Sequence, residues 1–168
     1  NSVTSDDARI RELAGTVGAA LAARGAIATT AESCTGGWVA AALTAIAGSS
    51  AWFDRGFVTY SNEAKQDMLG VQSITLARHG AVSEATVAEM VCGALAASRA
   101  THAVAISGIA GPSGGSADKP VGTVCFAWGG RDAPPHCETR HFDGDRTAVR
   151  SATVAHALAQ LNALLRAR

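Results

Sequence analysis

Apolar residues along this chain fall into two alternating patterns. Ile10, Leu13, Ala14, Val17 and Leu21 recur at the 3.6-residue period of a helix, with Asp6 or Asp7 placed to cap it and Gly25 to end it. AIATTAE (26–32) is short, apolar and β-branched, the pattern of a buried strand. SCTGG interrupts it, and WVAAALTAIA (38–47) predicts a second helix. GFVTY (56–60) predicts a second strand, closed by Ser61-Asn62 and followed by a short helix over 63–69. Ser83 is positioned to cap a helix running to about Ser98. HAVAIS (102–107) predicts a third strand. VGTVCFAW (121–128) and HCETRHF (136–142) predict a hairpin across GGRDAPP. A last helix over 145–167 turns Val149, Ala152, Val154, Ala155, Leu158, Leu161 and Leu165 inward.

Strands separated by helices, then a late hairpin, specify an α/β protein: one three-layer α/β/α domain with a mixed, partly parallel sheet. At 168 residues the chain fits one domain spanning 1–168, with about the first five residues expected to be disordered or foreign to the fold. No internal repeat is present. GIAGPSGGSADKP (108–120) is too long and glycine-rich for a simple turn, and loops of this kind in compact domains usually carry function.

Composition narrows the classes. Hydrophobic residues at 48% can build a core, while 14 basic and 14 acidic side chains cancel to zero net charge. A balanced charge and only 5% aromatic residues argue against nucleic acid as a partner. No apolar run approaches the ~18 residues of a membrane span, and the N-terminus lacks a secretion-signal layout, so the expectation is a cytoplasmic protein with no membrane partner. The four cysteines form no CxxC pair. His136, Cys137 and His141 come closest to a cluster, but they lie in a predicted strand without metal-ligand spacing, so neither metal nor cofactor is expected.

Three segments at strand ends could carry chemistry, because ligands in open α/β sheets bind beyond the carboxyl ends of the strands. In AESCTGGW, Ser33 falls between strand and helix, and Gly36 and Gly37 allow a ligand close to the backbone. On spacing alone, Ser33 or Thr35 could equally be a helix cap. In GFVTYSNEAK, Tyr60 ends a strand and Lys65 enters the first turn of a helix, where positive charge is disfavoured. A desolvated lysine there becomes a usable base; a solvated one is ordinary surface. The Tyr-to-Lys spacing of five does not match the YxxxK of short-chain dehydrogenases. In AISGIAGPSGG, Ser107 and the glycines from Gly108 and Gly111 onward can offer N–H groups to an anion. Arg146 and Arg150, one helical turn apart, could clamp a phosphate or form a solvated charged face.

Together AESCTGG, GSS, VTYSNEAK, GAVS, SGIAGP with GG, KPVGTV and FDGDRTAVR resemble the CinA C-terminal domain family, the nicotinamide-nucleotide amidohydrolases. The resemblance runs from about Ala31 to Arg150, and the combination is far more specific than any one motif. It implies deamidation of nicotinamide mononucleotide to nicotinate mononucleotide with release of ammonia. It assigns Ser33 as nucleophile, Lys65 as its base and Tyr60 as an assisting residue. Arg55 replaces a glycine of many relatives and Ser107 a threonine of several, changes that leave the Ser33 and Lys65 pair untouched but could modify substrate contacts.

On this reading neutral Lys65 takes the Ser33 proton, directly or through Tyr60, and N–H groups around Thr35, Gly36 and Gly37 hold the oxyanion. Ser50, Ser107, Gly108, Gly111 and Arg146 are the candidates for the substrate phosphate. The partner is thus a small nucleotide, and a homo-oligomer with a dimer favoured is the expected assembly. The rival reading is a non-catalytic nucleotide-binding regulatory module linked to competence or the DNA-damage response.

Overall fold

The computed structural model describes residues 2–167. Helix α1 spans Ser2–Ala23, β1 Ala28–Glu32, α2 Trp38–Thr44, β2 Phe53–Val58, α3 Asn62–Leu69 and α4 Ser73–His79. Then follow α5 Glu84–Ala96, β3 His102–Gly108, β4 Thr123–Gly130, β5 His136–His141 and α6 Arg146–Arg166. The five strands form one sheet in the order β2-β1-β3-β4-β5. β1 pairs in parallel with β2 and β3, and β4 is antiparallel to both β3 and β5, so the sheet is mixed as expected.

Side-chain alternation on the strands builds two unequal cores. Val104 and Ile106 of β3, with Val124, Phe126 and Trp128 of β4, face α1, α2 and α6. The intervening Ala103, Ala105, Cys125 and Ala127 face α5. Small residues on that second face let α5 lie close, with Val87, Met90, Val91 and Leu95 buried against the sheet. Each large apolar side chain so buried contributes about 1.5–3 kcal/mol. β1 is buried along its whole length because it runs between two parallel neighbours and under helices on both faces.

The register fixes where chemistry can happen. Glu32 is level with Val58 on one side and with Ile106 on the other. The carboxyl ends of β1, β2 and β3 therefore open at one rim, releasing the Ser33, Tyr60 and Ser107 segments together.

Several boundaries differ from expectation. α1 begins at Ser2, so Asp6 and Asp7 lie within it and neither is its cap. α2 stops at Thr44, and a 3-10 turn over Ser49–Ala51 follows. β2 starts three residues early and stops before Thr59 and Tyr60; as an edge strand it lacks the continuous apolar run of β1. α4 escaped periodicity because it is short, has no side-chain cap, and buries only Thr75. In α6 the inward positions include Ser151, Thr153 and Ala157 in place of Ala152 and Ala155. Burying Thr153 is tolerable because its hydroxyl donates back to the Val149 carbonyl at 2.7 Å, so a polar residue occupies an apolar stripe.

The seating of α3 on α5 depends on Gly93. A Cβ at that position would stand 1.8 Å from the Leu69 carbonyl oxygen, a backbone atom that cannot swing away. Gly→Ala normally favours a helix by about 1 kcal/mol. Here Gly93→Ala should destabilise by roughly 1–3 kcal/mol, as overpacking does. Urea unfolding followed by circular dichroism checks the sign, and a midpoint at or above that of the parent would show that α3 yields freely.

Candidate active site

β1 ends at Glu32, and the carboxylate of this buried residue turns to the start of α2. It accepts hydrogen bonds from Thr35 Oγ1 at 2.6 Å, from the Val39 N–H at 2.8 Å and from the Ala40 N–H at 3.0 Å. The free amides that open α2 are thus satisfied by the protein's own carboxylate. Neither Ser33 nor Thr35 caps the helix, and α2 presents no empty anion site. Between strand and helix the chain turns through Gly36 and Gly37, at φ +61° and +99°, a left-handed pair that only glycine adopts cheaply. The Gly36 N–H donates to the Ser33 carbonyl at 3.0 Å, which removes it from the set of oxyanion donors.

Lys65 reaches the same point from the neighbouring strand. Ser61 caps α3 by accepting from the Ala64 N–H at 3.0 Å. Lys65 follows one turn into that helix, and its side chain is only 1% exposed. Its Nζ lies 3.0 Å from Ser33 Oγ, 2.9 Å from the Thr59 carbonyl oxygen and 3.2 Å from that of Tyr60. Burial holds the amine below the ordinary lysine range. The two carbonyls can only accept, so a neutral amine spends both hydrogens on them. Its lone pair is left to face the one partner able to donate, the Ser33 hydroxyl.

Tyr60 behaves differently from the sequence expectation. Its main chain lies beside the pair, whereas its side chain is 62% exposed and its hydroxyl accepts from Arg146 Nη2 at 3.2 Å. No phenol is interposed between Ser33 Oγ and Lys65 Nζ, which are in direct hydrogen-bond contact.

The pair opens into a cleft of about 350 Å³. Ser107, Gly108 and Gly111 from the β3 exit and Arg146 from the first turn of α6 form its far wall. Arg146 is anchored there by donating from Nη1 to the Gly111 carbonyl at 2.7 Å. Among the described residues no Asp or Glu side chain lines the cleft, so no lining carboxylate opposes Arg146. Asn62 lines it as well; polar and at the start of a helix, it carried no signal that separated it from a turn residue.

Ser33, Tyr60, Lys65, Ser107, Gly108, Gly111 and Arg146 therefore converge. Thr35, Gly36 and Gly37 shape the loop behind Ser33 without lining the cleft. Ser50 lies apart: its turn leads into the start of β2, at the opposite end of the sheet from Ser33. Arg55 is also remote, with Nε on Asp54 and Nη1 on the Ala97 carbonyl, so its difference from relatives does not touch the cleft. Arg150 does not join Arg146 on a ligand, because its guanidinium is turned to the carbonyls of Cys34 and Thr35. Cys34, next to Ser33, is buried with its thiol pushed up to about 11 by desolvation, so it packs as a neutral group. Among the described residues no group of three His, Cys, Asp or Glu side chains is placed to hold a metal ion, and no helix is long and apolar enough to cross a membrane.

The chain is similar to known proteins along most of its length. The chain is 61% identical over 155 residues to the nicotinamide-nucleotide amidohydrolase PncC of Escherichia coli K12, covering 92% of this chain and 94% of that one. It is 59% identical to the protein of the same name from Enterobacter agglomerans, covering 84% and 87%. The crystal structure of the competence/damage inducible protein CihA from Agrobacterium tumefaciens superposes with a TM-score of 0.89 at 54% identity, covering 93% of this chain and 95% of that one. Residues 10–165 match the model of the CinA C-terminal domain, from the first core residue of α1 almost to the end of α6, and the chain belongs to that family.

Proposed function

We propose that this protein hydrolyses the carboxamide of nicotinamide mononucleotide, giving nicotinate mononucleotide and ammonia, with Ser33 as nucleophile and Lys65 as general base. The observation that carries the reading is the 3.0 Å approach of Lys65 Nζ to Ser33 Oγ, inside a cleft whose one free cation among its lining residues is Arg146. The names of the relatives support the substrate class. A module that only binds nucleotides gains nothing from a buried, desolvated amine set against a serine hydroxyl.

In the forward step the Ser33 proton moves to Lys65 Nζ as Oγ bonds to the amide carbon. Protonated Lys65 then returns that proton to the departing nitrogen, and ammonia leaves an acyl-serine. Water repeats the sequence: it gives a proton to Lys65, its oxygen bonds to the acyl carbon, and Ser33 recovers its hydrogen as the carboxylate forms. The Thr59 and Tyr60 carbonyls hold the amine in place during both halves and accept its N–H groups in either charge state. Arg146 binds the phosphate, and the cleft's lack of carboxylates keeps that attraction undiminished.

Ser33→Ala should abolish ammonia release while leaving the circular dichroism spectrum and melting temperature near those of the parent. Near-parental turnover in that variant would reduce Ser33 to a loop residue. Mass spectrometry of the parent during turnover should also detect the nicotinate-nucleotide acyl adduct on Ser33.

The Lys65 shift gives a pH dependence of definite sign. Only the neutral amine accepts a proton, so kcat/KM should rise with pH and level off above the lowered pKa, with the rise falling below the ordinary 10.5. The unfolded chain binds this proton more tightly than the native one, so the residue's contribution to stability improves as pH rises between the lowered value and 10.5. Lys65→Arg keeps the charge but cannot deprotonate, and should be inactive; Lys65→Ala should lose about 10²–10⁴ in kcat. Substantial kcat with an unchanged pH profile in the arginine variant would place the base elsewhere.

Arg146→Ala should act on binding. Losing charge-assisted hydrogen bonds should raise KM for the mononucleotide by about 10–100-fold, with little change for nicotinamide riboside, which lacks the phosphate. Equal losses on the two substrates would remove Arg146 from the phosphate site.

A further inference from the structure

Arg150 stands one helical turn beyond Arg146 on α6, yet it makes no contribution to the cleft wall. Its Nε donates to the Cys34 carbonyl at 3.0 Å and its Nη2 to the Thr35 carbonyl at 3.1 Å. Its guanidinium also lies over the Trp38 ring, 5.6 Å from the centroid, so the fork is held from a third direction. A Cβ on Gly36 would stand 3.6 Å from the same Nη2, which shows how closely the loop wraps this group. No carboxylate pairs with Arg150 among the described residues, and the whole of its charge is directed at two successive peptide groups behind the nucleophile.

We infer that Arg150 is a positioning residue for the Ser33 loop, fixing two consecutive peptide planes behind Ser33 so that its Oγ stays at Lys65 Nζ. The inference rests on the amidohydrolase reading above. The Gly36 N–H donates to the Ser33 carbonyl, so the peptides that Arg150 holds are tied directly to the residue beside Lys65. Thr35 is wholly buried and does not line the cleft, so this loop acts on the placement of Ser33 and not on substrate. It does so only while its peptide planes cannot rotate. A planar two-pronged donor on adjacent carbonyls supplies that restraint, which a lysine at this place would supply at one carbonyl only.

The test compares Arg150→Ala and Arg150→Lys with the parent, using nicotinamide mononucleotide and nicotinamide riboside, with rates divided by the folded fraction from circular dichroism. Losing the placement of Ser33 should lower kcat by about 10²-fold in the alanine variant. KM should stay within about threefold on both substrates, because the residue contacts neither. Lysine should recover part of the loss, and millimolar guanidinium added to the alanine variant should recover part as well. Unchanged kcat per folded molecule overturns the inference. So does a KM rise confined to the mononucleotide, which would make Arg150 a phosphate ligand. Should the alanine variant not fold, the lysine variant alone decides: a loss of about tenfold with a parental spectrum is expected, and parental kcat overturns the inference. Labelling of Ser33 by a phosphonofluoridate, read by mass spectrometry, keeps this apart from the substrate question, since it needs Ser33 in the same place. Parent protein that labels readily but releases no ammonia from the nucleotide sinks the substrate reading. Equal labelling rates in the parent and Arg150→Ala sink the role of Arg150.

Discussion

A primary amine buried to 1% exposure is the constraint around which this protein is arranged. Such a group is tolerable only if it gives up its charge or finds partners for every hydrogen, and Lys65 is provided for on both counts. The carbonyls that receive it belong to the chain just past β2, and the hydroxyl beside it to the chain just past β1. Parallel pairing of these strands, with Glu32 level with Val58, brings the two exits together. The sheet's topology and the amine's solvation are thus one requirement: a shift in the register of β1 against β2 would separate the hydroxyl from the amine and leave the lysine buried without its third partner.

Two arginines near the start of α6 show how one helix face serves two ends. Arg146 lines the cleft and anchors on the Gly111 carbonyl, while Arg150 reaches the Ser33 loop and does not line the cleft. A spacing of four places both on the same stripe, but their guanidinium groups go to different segments. Their common motif therefore suggests a joint clamp that the structure divides.

Much of the fold was legible because its signals are local. The strand interiors of β1 and β3, the cap Ser83, and the hairpin of β4 and β5 each follow from residue type and spacing over a few positions. The serine and lysine were legible as well, since each stands at a break between elements. What escaped was whatever depends on a second segment. Glu32 reads as the last residue of a strand, and nothing local reveals that its carboxylate closes the amides of α2. Tyr60 reads as a catalytic hydroxyl beside Lys65, yet the backbone turns its ring outward and offers its carbonyl. Ser50 is near the glycines of the site in sequence, but the parallel crossover carries it to the other end of the sheet.

The way Glu32 occupies the start of α2 bears on how the cleft empties. In the proposed reaction a neutral amide becomes a carboxylate beside Ser33, and a helix N-terminus with open amides would hold that new anion tightly. Here those amides are already engaged. The nearby amine is pushed toward neutrality by burial. On that reading Arg146, the arginine that lines the cleft, grips substrate and product by the same handle, and the fresh carboxylate, offered no open helix amides, adds little to the grip. Turnover is then protected from its own product by a carboxylate that never touches it.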